Sequence, residues 1–253
     1  MILDRILKQK LEETAEMTRP SSRMSDALRR GGLSVIGEIK RASPSRGVIN
    51  GSVDPLKQLR LYEQGGADAV SILTDHSFFG GSADDFRSLR PRTALPLLRK
   101  DFILTEVQVY ESLFLGADAL LLIAAALERK RFQELLSLAY SLGMEVIAEV
   151  HTGEELRSVL DTEAEIIGIN NRNLDDFTVD LRTTERLMEI CRQRERAGGR
   201  IIVSESGVRT EEDAAFLADT GVDAVLVGEA LMRSGDPSGL IRAFRKKRSV
   251  RAA

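Results

Sequence analysis

Eight short apolar runs, each followed by a segment with helical spacing, most constrain how this 253-residue chain can fold. The predicted strands are Ser34–Ile39, Ala69–Leu73, Leu97–Lys100, Ala119–Ile123, Glu145–Glu149, Ile166–Asn170, Ile201–Ser204 and Ala224–Val227. Strands that alternate with helices form a parallel sheet, because parallel neighbours need a long crossover between them. A short phrase precedes three of the strands: Gly66-Ala67-Asp68-Ala69-Val70, Gly116-Ala117-Asp118-Ala119-Leu120 and Gly221-Val222-Asp223-Ala224-Val225. Each marks a helix stopping and the chain turning into a buried strand. Eight such units in roughly 250 residues suit a TIM (β/α)8 barrel. A doubly wound sheet is the alternative, but it would place a Gly-rich phosphate turn after its first strand. Here Lys40-Arg41-Ala42-Ser43-Pro44 stands in that position.

Helix boundaries agree with this count. Asp54-Pro55 and Asp236-Pro237 set a capping carboxylate before a proline suited to the first helical turn. Thr105 with Gln108, Thr152 with Glu155, and Thr210 with Asp213 have capping-box spacing. Gly65, Gly116, Gly143 and Gly221 mark helix ends. Residues 1–31 precede the first strand and read as additional N-terminal helices, with the apolar residues of Met1–Lys8 at helical spacing. No linker divides the rest, so the expectation is one (β/α)8-barrel domain over 1–253 with 1–31 as an N-terminal helical extension.

Composition removes several classes of function. The net charge is −3 with both signs mixed, which gives no footprint for nucleic acid. The basic run from Arg242 to Arg251 reads as a solvated helix end. A single cysteine, Cys191, excludes an intramolecular disulfide framework and fits a reducing cytoplasm. No stretch is apolar and long enough to cross a membrane, and the amphipathic start lacks a signal peptide's apolar core. His76 and His151 are the only histidines and have no zinc-site spacing. His151, two residues beyond Glu149, has a place bordering the pocket as its alternative but reads as a loop residue. The expectation is a soluble cytoplasmic protein with no metal, no nucleic acid and no membrane partner.

The chemistry collects where barrel active sites lie, at the C-terminal ends of the strands. Glu38 and Lys40 are two apart on the first strand and share a face. Paired charges on a buried strand stabilise weakly, which favours a chemical use. Strand 3 ends in Lys100-Asp101-Phe102, strand 5 in Glu149, strand 6 in Asn170-Asn171-Arg172 and strand 7 in Ser204-Glu205-Ser206-Gly207. One layer of a barrel interior takes its side chains from alternate strands. Glu38 or Lys40, Lys100, Glu149 and the Ser204–Glu205 region are therefore expected to converge. An internal ion-pair network would also balance these charges, but it does not explain why all sit at one end. Parity sets Glu205 apart from Ser204 and Ser206, as an acid behind the front rank. Ser206-Gly207 and Gly228-Glu229 follow strands 7 and 8, where barrels often bind phosphate through backbone N–H groups. The Glu229 carboxylate repels an anion, so only its N–H suits that role.

Four segments together resemble the indole-3-glycerol phosphate synthase family. They are Glu38-Ile39-Lys40-Arg41-Ala42-Ser43-Pro44-Ser45, Leu98-Arg99-Lys100-Asp101-Phe102-Ile103, Ile167-Gly168-Ile169-Asn170-Asn171-Arg172-Asn173-Leu174 and Ser204-Glu205-Ser206-Gly207. The resemblance runs in order from about residue 31 to 245. It implies conversion of 1-(2-carboxyphenylamino)-1-deoxyribulose 5-phosphate to indole-3-glycerol phosphate, with release of CO2 and water, and without metal or organic cofactor. It also implies Lys100 as general acid in ring closure, Lys40 and Glu38 as the acid–base set of dehydration, and Glu149 as stabiliser of cationic intermediates. Asn170 and Ser206 join the catalytic set and, with Arg172, hold the substrate carboxylate and hydroxyls. Glu205 belongs with the substrate-binding residues. Ser43, Gly207, Gly228 and the Glu229 N–H take the phosphate. Phe79, Pro44, Phe102, Leu121, Leu174 and Leu226 wall the anthranilate ring. The only partner implied is this small molecule, with the chain a monomer or weak homodimer. Another sugar-phosphate isomerase or epimerase barrel would share the phosphate loops, and a non-catalytic phosphate-binding barrel would too. Neither needs lysines on strands 1 and 3 together with Glu38 and Glu149.

Overall fold

The computed structural model describes residues 23–29, 31–44, 47–194 and 199–245. Eight parallel strands close on themselves: β1 (Ser34–Ile39), β2 (Ala69–Leu73), β3 (Leu97–Lys100), β4 (Ala119–Ile123), β5 (Glu145–Val150), β6 (Ile166–Asn170), β7 (Ile201–Glu205) and β8 (Ala224–Val227). Each pairs with the next, and β1 closes the ring with Ser34 opposite Ala224 on one side and Ile36 opposite Ala69 on the other. The eight apolar runs are these strands, with β5 and β7 each one residue longer than expected. Helices α1 (Pro55–Gly65), α2 (Ala83–Leu89), α3 (Glu106–Leu115), α4 (Arg129–Ser141), α5 (Gly153–Leu160), α6 (Arg182–Gln193) and α7 (Glu211–Thr220) make the crossovers. Two further helices, α8 (Glu229–Arg233) and α9 (Pro237–Phe244), follow β8. This is a TIM barrel.

Both faces of every strand are covered, so two separate apolar clusters form. The larger lies between strands and helices. The smaller fills the barrel with Ile36, Ala69, Leu98, Ile147, Val203, Leu226 and their layer neighbours, and Met24 and Leu28 plug its lower end. Those two residues sit on a short helix, Met24–Leu28, whose first backbone N–H groups meet the Glu145 carboxylate. The rest of the expected N-terminal extension, residues 1–22 and Arg30, lies outside the described residues.

The recurring Asp of the Gly-Ala-Asp phrase has a structural task. Asp68 accepts the Val35 N–H at 2.9 Å, Asp118 the Leu97 N–H at 2.7 Å and Asp223 the Ile202 N–H at 2.8 Å. Each carboxylate before one strand thus caps the start of the strand preceding it and satisfies an N–H that the ladder leaves open. Helix capping follows the expected residues at Asp54, Thr152, Thr210 and Asp236. At the end of α1 the left-handed residue is Gly66 (φ 81), while Gly65 is the last helical residue. Gly65 is a glycine for another reason: a Cβ there would lie 2.9 Å from Ile241 of α9.

Candidate active site

Inward-facing positions change character along the barrel axis. Below, they are Ile, Leu, Val and Ala; at the C-terminal end they become Glu38, Lys100, Glu149, Asn170 and Glu205. These polar and charged groups form the floor of a cavity of about 550 Å³, within the range of small-molecule sites. Glu38 is 2 %, Glu149 3 % and Glu205 1 % exposed. Carboxylates this buried require cations or hydrogen bonds, since desolvation costs each several kcal/mol.

Lys100 supplies one such cation. Its Nζ lies 2.9 Å from Glu205 Oε2 and 3.1 Å from Glu149 Oε2, so one ammonium bridges β5 and β7 across the barrel. Lys40 supplies the other, with Nζ 2.6 Å from Glu38 Oε1. Burial disfavours the Lys100 ammonium, but Glu149, Glu205 and Glu38 together outweigh it and hold its pKa above the ordinary lysine value. Burial likewise opposes ionisation of Glu149, and Lys100, His151 and Asn170 reverse this and keep it well below the carboxylate range. Glu205 goes the other way: burial, reinforced by the Glu149 charge, pushes it up to about 7 in spite of Lys100. Two carboxylates on one ammonium are thereby driven apart, one ionised and one close to sharing a proton.

Glu205 corrects the parity reading. It is on the inward face with Ile201 and Val203, whereas Ser204 points outward to Asn171 (2.9 Å) and Thr184 (2.8 Å). Glu205 therefore touches Lys100 directly and does not stand behind the front rank. Alternation fails one residue later, because Ser206 leaves the strand with φ 64, and both side chains border the same cavity. Two glycines make room for this crowding. A Cβ at Gly168 would overlap Glu205 Oε1, and one at Gly228 would overlap Glu38 Oε1.

The walls carry the remaining residues singled out from sequence. Phe79 and Phe102 face each other with ring centroids 6.3 Å apart, and Pro44, Leu121, Leu174 and Leu226 border the same space. Ser43, Gly207, Gly228 and Glu229 lie along its rim. Asn170 donates to Glu149 Oε1 at 3.1 Å and accepts the Arg172 N–H at 3.0 Å, which ties the strand 6 end to the strand 5 carboxylate. Beneath Lys100, the buried Arg99 pairs with Asp101 (3.2 Å) and Glu111 (2.6 Å), and Asp101 accepts the Phe102 N–H at 2.8 Å. That network fixes the loop that carries Phe102.

Sequence reasoning missed Phe78, Phe177, Val179 and Arg209, which also border the cavity from loops. His151 is the loop residue expected, between β5 and α5, and its ring packs behind Glu149 with Nε2 3.3 Å from Glu149 Oε1. Among the described residues no cluster of His, Cys, Asp and Glu is arranged to hold a metal, and no helix is long and apolar enough to cross a membrane.

Comparison with known proteins agrees with the geometry. The solved structure of 3-hexulose-6-phosphate synthase from Salmonella typhimurium superposes with a TM-score of 0.63 at 13 % identity, covering 85 % of this chain and 97 % of that one. Thiamine phosphate pyrophosphorylase from Pyrococcus furiosus gives 0.61 at 18 %, covering 85 % and 94 %. Both show the shared barrel alone. At the level of sequence, the indole-3-glycerol phosphate synthase of Petrotoga mobilis is 47 % identical over 250 residues, 98 % of this chain and 99 % of that protein. Indole-3-glycerol phosphate synthase 2 of Streptomyces coelicolor is 47 % identical over 236 residues, 93 % and 89 %. The family model described as indole-3-glycerol phosphate synthase matches residues 3–244. The chain belongs to the indole-3-glycerol phosphate synthase family, decarboxylating lyases of tryptophan biosynthesis.

Proposed function

We propose that this cavity performs ring closure, decarboxylation and dehydration of 1-(2-carboxyphenylamino)-1-deoxyribulose 5-phosphate with its own side chains as the only acids and bases. The observation that carries the division of labour is the separation of two cations, Lys100 between Glu149 and Glu205 and Lys40 on Glu38. Ring closure needs a proton for the substrate carbonyl oxygen as the aromatic carbon attacks. Lys100 is the general acid, since its carboxylate partners keep it protonated at neutral pH. Glu149, ionised beside it, stabilises the cationic ring system until the bond to CO2 breaks and returns its electron pair. Dehydration then needs a proton for the leaving hydroxyl and a base for the proton lost from the ring. Lys40 and Glu38 form that set, and their 2.6 Å contact lets the proton return between turnovers.

Asn170, Arg172 and Ser206 hold the substrate carboxylate and hydroxyls, with Glu205 among the substrate-binding groups. Ser43, Gly207, Gly228 and the Glu229 N–H take the phosphate at the rim, and the Phe79–Phe102 wall takes the aromatic ring. One chain supplies all of these groups, which supports a monomer or weak homodimer working as a single domain of residues 1–253. The lone buried thiol of Cys191 suits a cytoplasmic setting. The chain has no Trp, so product indole fluorescence on adding the substrate stands against a low background. A folded protein that gives no such signal overturns the proposal in favour of an isomerase, epimerase or binding barrel.

A further inference from the structure

Glu149 uses its two oxygens differently. Oε2 faces Lys100 at 3.1 Å, while Oε1 receives Asn170 Nδ2 at 3.1 Å and faces His151 Nε2 at 3.3 Å. On its far side His151 Nδ1 lies 3.5 Å from Glu155 Oε2, and the His151 N–H donates to the same oxygen at 2.7 Å. Glu155 is itself fixed at the first turn of α5 by exchange with Thr152, at 3.0 and 3.2 Å. The groups therefore alternate in sign from the barrel axis outward: Lys100, Glu149, His151, Glu155. Neither ring nitrogen is aligned as a hydrogen-bond donor, so the contacts act through charge. A neutral imidazole would turn a lone pair toward one of the two carboxylates; only the imidazolium is positive toward both.

We infer that His151 is a positioning residue whose imidazolium, anchored by Glu155, holds Glu149 by the oxygen that Lys100 does not use. His151 thereby keeps the carboxylate ionised and aimed at the ring-closing ammonium without touching substrate. Its charged neighbours on β5 and α5 are Glu149 and Glu155. Arg129 of α4, which lines a surface pocket with Glu155, is engaged with Asp161 at 3.7 Å, and β6 contributes the uncharged Asn170. Burial alone would lower the His151 pKa, and the two carboxylates reverse this and raise it to about 9. The inference rests on Glu149 acting in the synthase reaction as proposed above.

The test uses NMR titration of the full-length enzyme, in which only His76 and His151 contribute imidazole signals. One signal is expected to titrate near pH 9 and to move down by about one unit in Glu155→Gln, with kcat of that variant at pH 7 close to wild type. In His151→Gln, kcat is expected to fall roughly tenfold at unchanged KM, and the alkaline limb of kcat near pH 9 to vanish. A His151 signal titrating near the ordinary value of about 6.5, or an alkaline limb that survives His151→Gln, overturns the inference. A wild-type enzyme without turnover counts against the synthase proposal instead, and the titration still decides whether His151 is held as a cation.

Discussion

Gly228 stands so close to Glu38 that a side chain there would occupy the position of Glu38 Oε1, and its Cβ would also lie 2.9 Å from Lys40 Nζ. The glycine after β8 thus serves the strand 1 ion pair as well as the cavity rim. Its backbone has an ordinary negative φ (−116), so alanine is not excluded by conformation. Gly228→Ala is expected to push Glu38 and Lys40 off their contact and lower kcat by roughly tenfold or more, as expected when a general acid–base pair is disturbed. If the glycine serves phosphate alone, steady-state kinetics will instead show a raised KM at unchanged kcat.

Lys100→Met keeps the length of the side chain but leaves Glu149 and Glu205 facing a shared space without the ammonium between them, His151 touching only the far oxygen of Glu149. Loss of the general acid is expected to cost about 10²–10⁴ in kcat. Stability should suffer as well, because breaking a buried ion pair from one side costs about 3–5 kcal/mol. The cost should be larger at pH 8.5 than at pH 5.5, where a proton shared between the two carboxylates can replace the ammonium. Thermal melts at both pH values check this; equal losses at the two would contradict it.

Glu205 gives a pH dependence of its own. Its pKa is raised from 4.5 to about 7 by burial and by Glu149, against Lys100, so the folded chain holds this proton more tightly than the unfolded one. The stability it contributes is fully present below about 4.5 and is lost as pH rises through about 7. His151, raised to about 9, starts to lose its contribution as pH rises past about 6.5, so its slope adds at the upper end of that window and persists in a Glu205 variant. Glu205→Gln should flatten the fall in melting temperature between pH 5 and 7, measured by calorimetry. An unchanged slope would place the proton elsewhere.

Much of this was legible in the chain because parallel barrel strands are buried on both faces and therefore read as unbroken apolar runs. Ala119–Ile123 and Ala224–Val227 are of that kind. The charged residues at strand ends were equally visible, since Lys100 or Glu149 after an apolar run has no packing reason to be there. What did not show was geometry created where alternation stops. Ser206 turns back toward the cavity through a positive φ, so its parity relation to Glu205 carries no information. Gly168 read as an ordinary strand residue and Gly228 as part of a phosphate turn, yet their shared role is to leave volume for a carboxylate on another strand. His151 is a loop residue as expected, but that its ring stands between the anions Glu149 and Glu155 shows only once the end of β5 and the first turn of α5 are set against each other.

Tyr62 connects the outer layer to the strand that carries Glu38. From α1 its hydroxyl donates to the Glu38 carbonyl at 2.9 Å, and its ring lies flat against Gly37, where a Cβ would sit 2.5 Å from Tyr62 Cδ2. Burial pushes the phenol well above its ordinary pKa, so the group remains a neutral donor across the working range. Tyr62→Phe removes one neutral hydrogen bond and is expected to cost about 1 kcal/mol in urea unfolding. The Glu38 side chain is held by Lys40, not by Tyr62, and kcat should change less than twofold. Gly37→Ala should be worse in both respects, about 1–3 kcal/mol, because the ring must move and drags the β1 backbone beneath Glu38 with it. A Tyr62→Phe enzyme of normal stability that loses tenfold in kcat would show that the hydroxyl acts on the chemistry through the strand, not on packing.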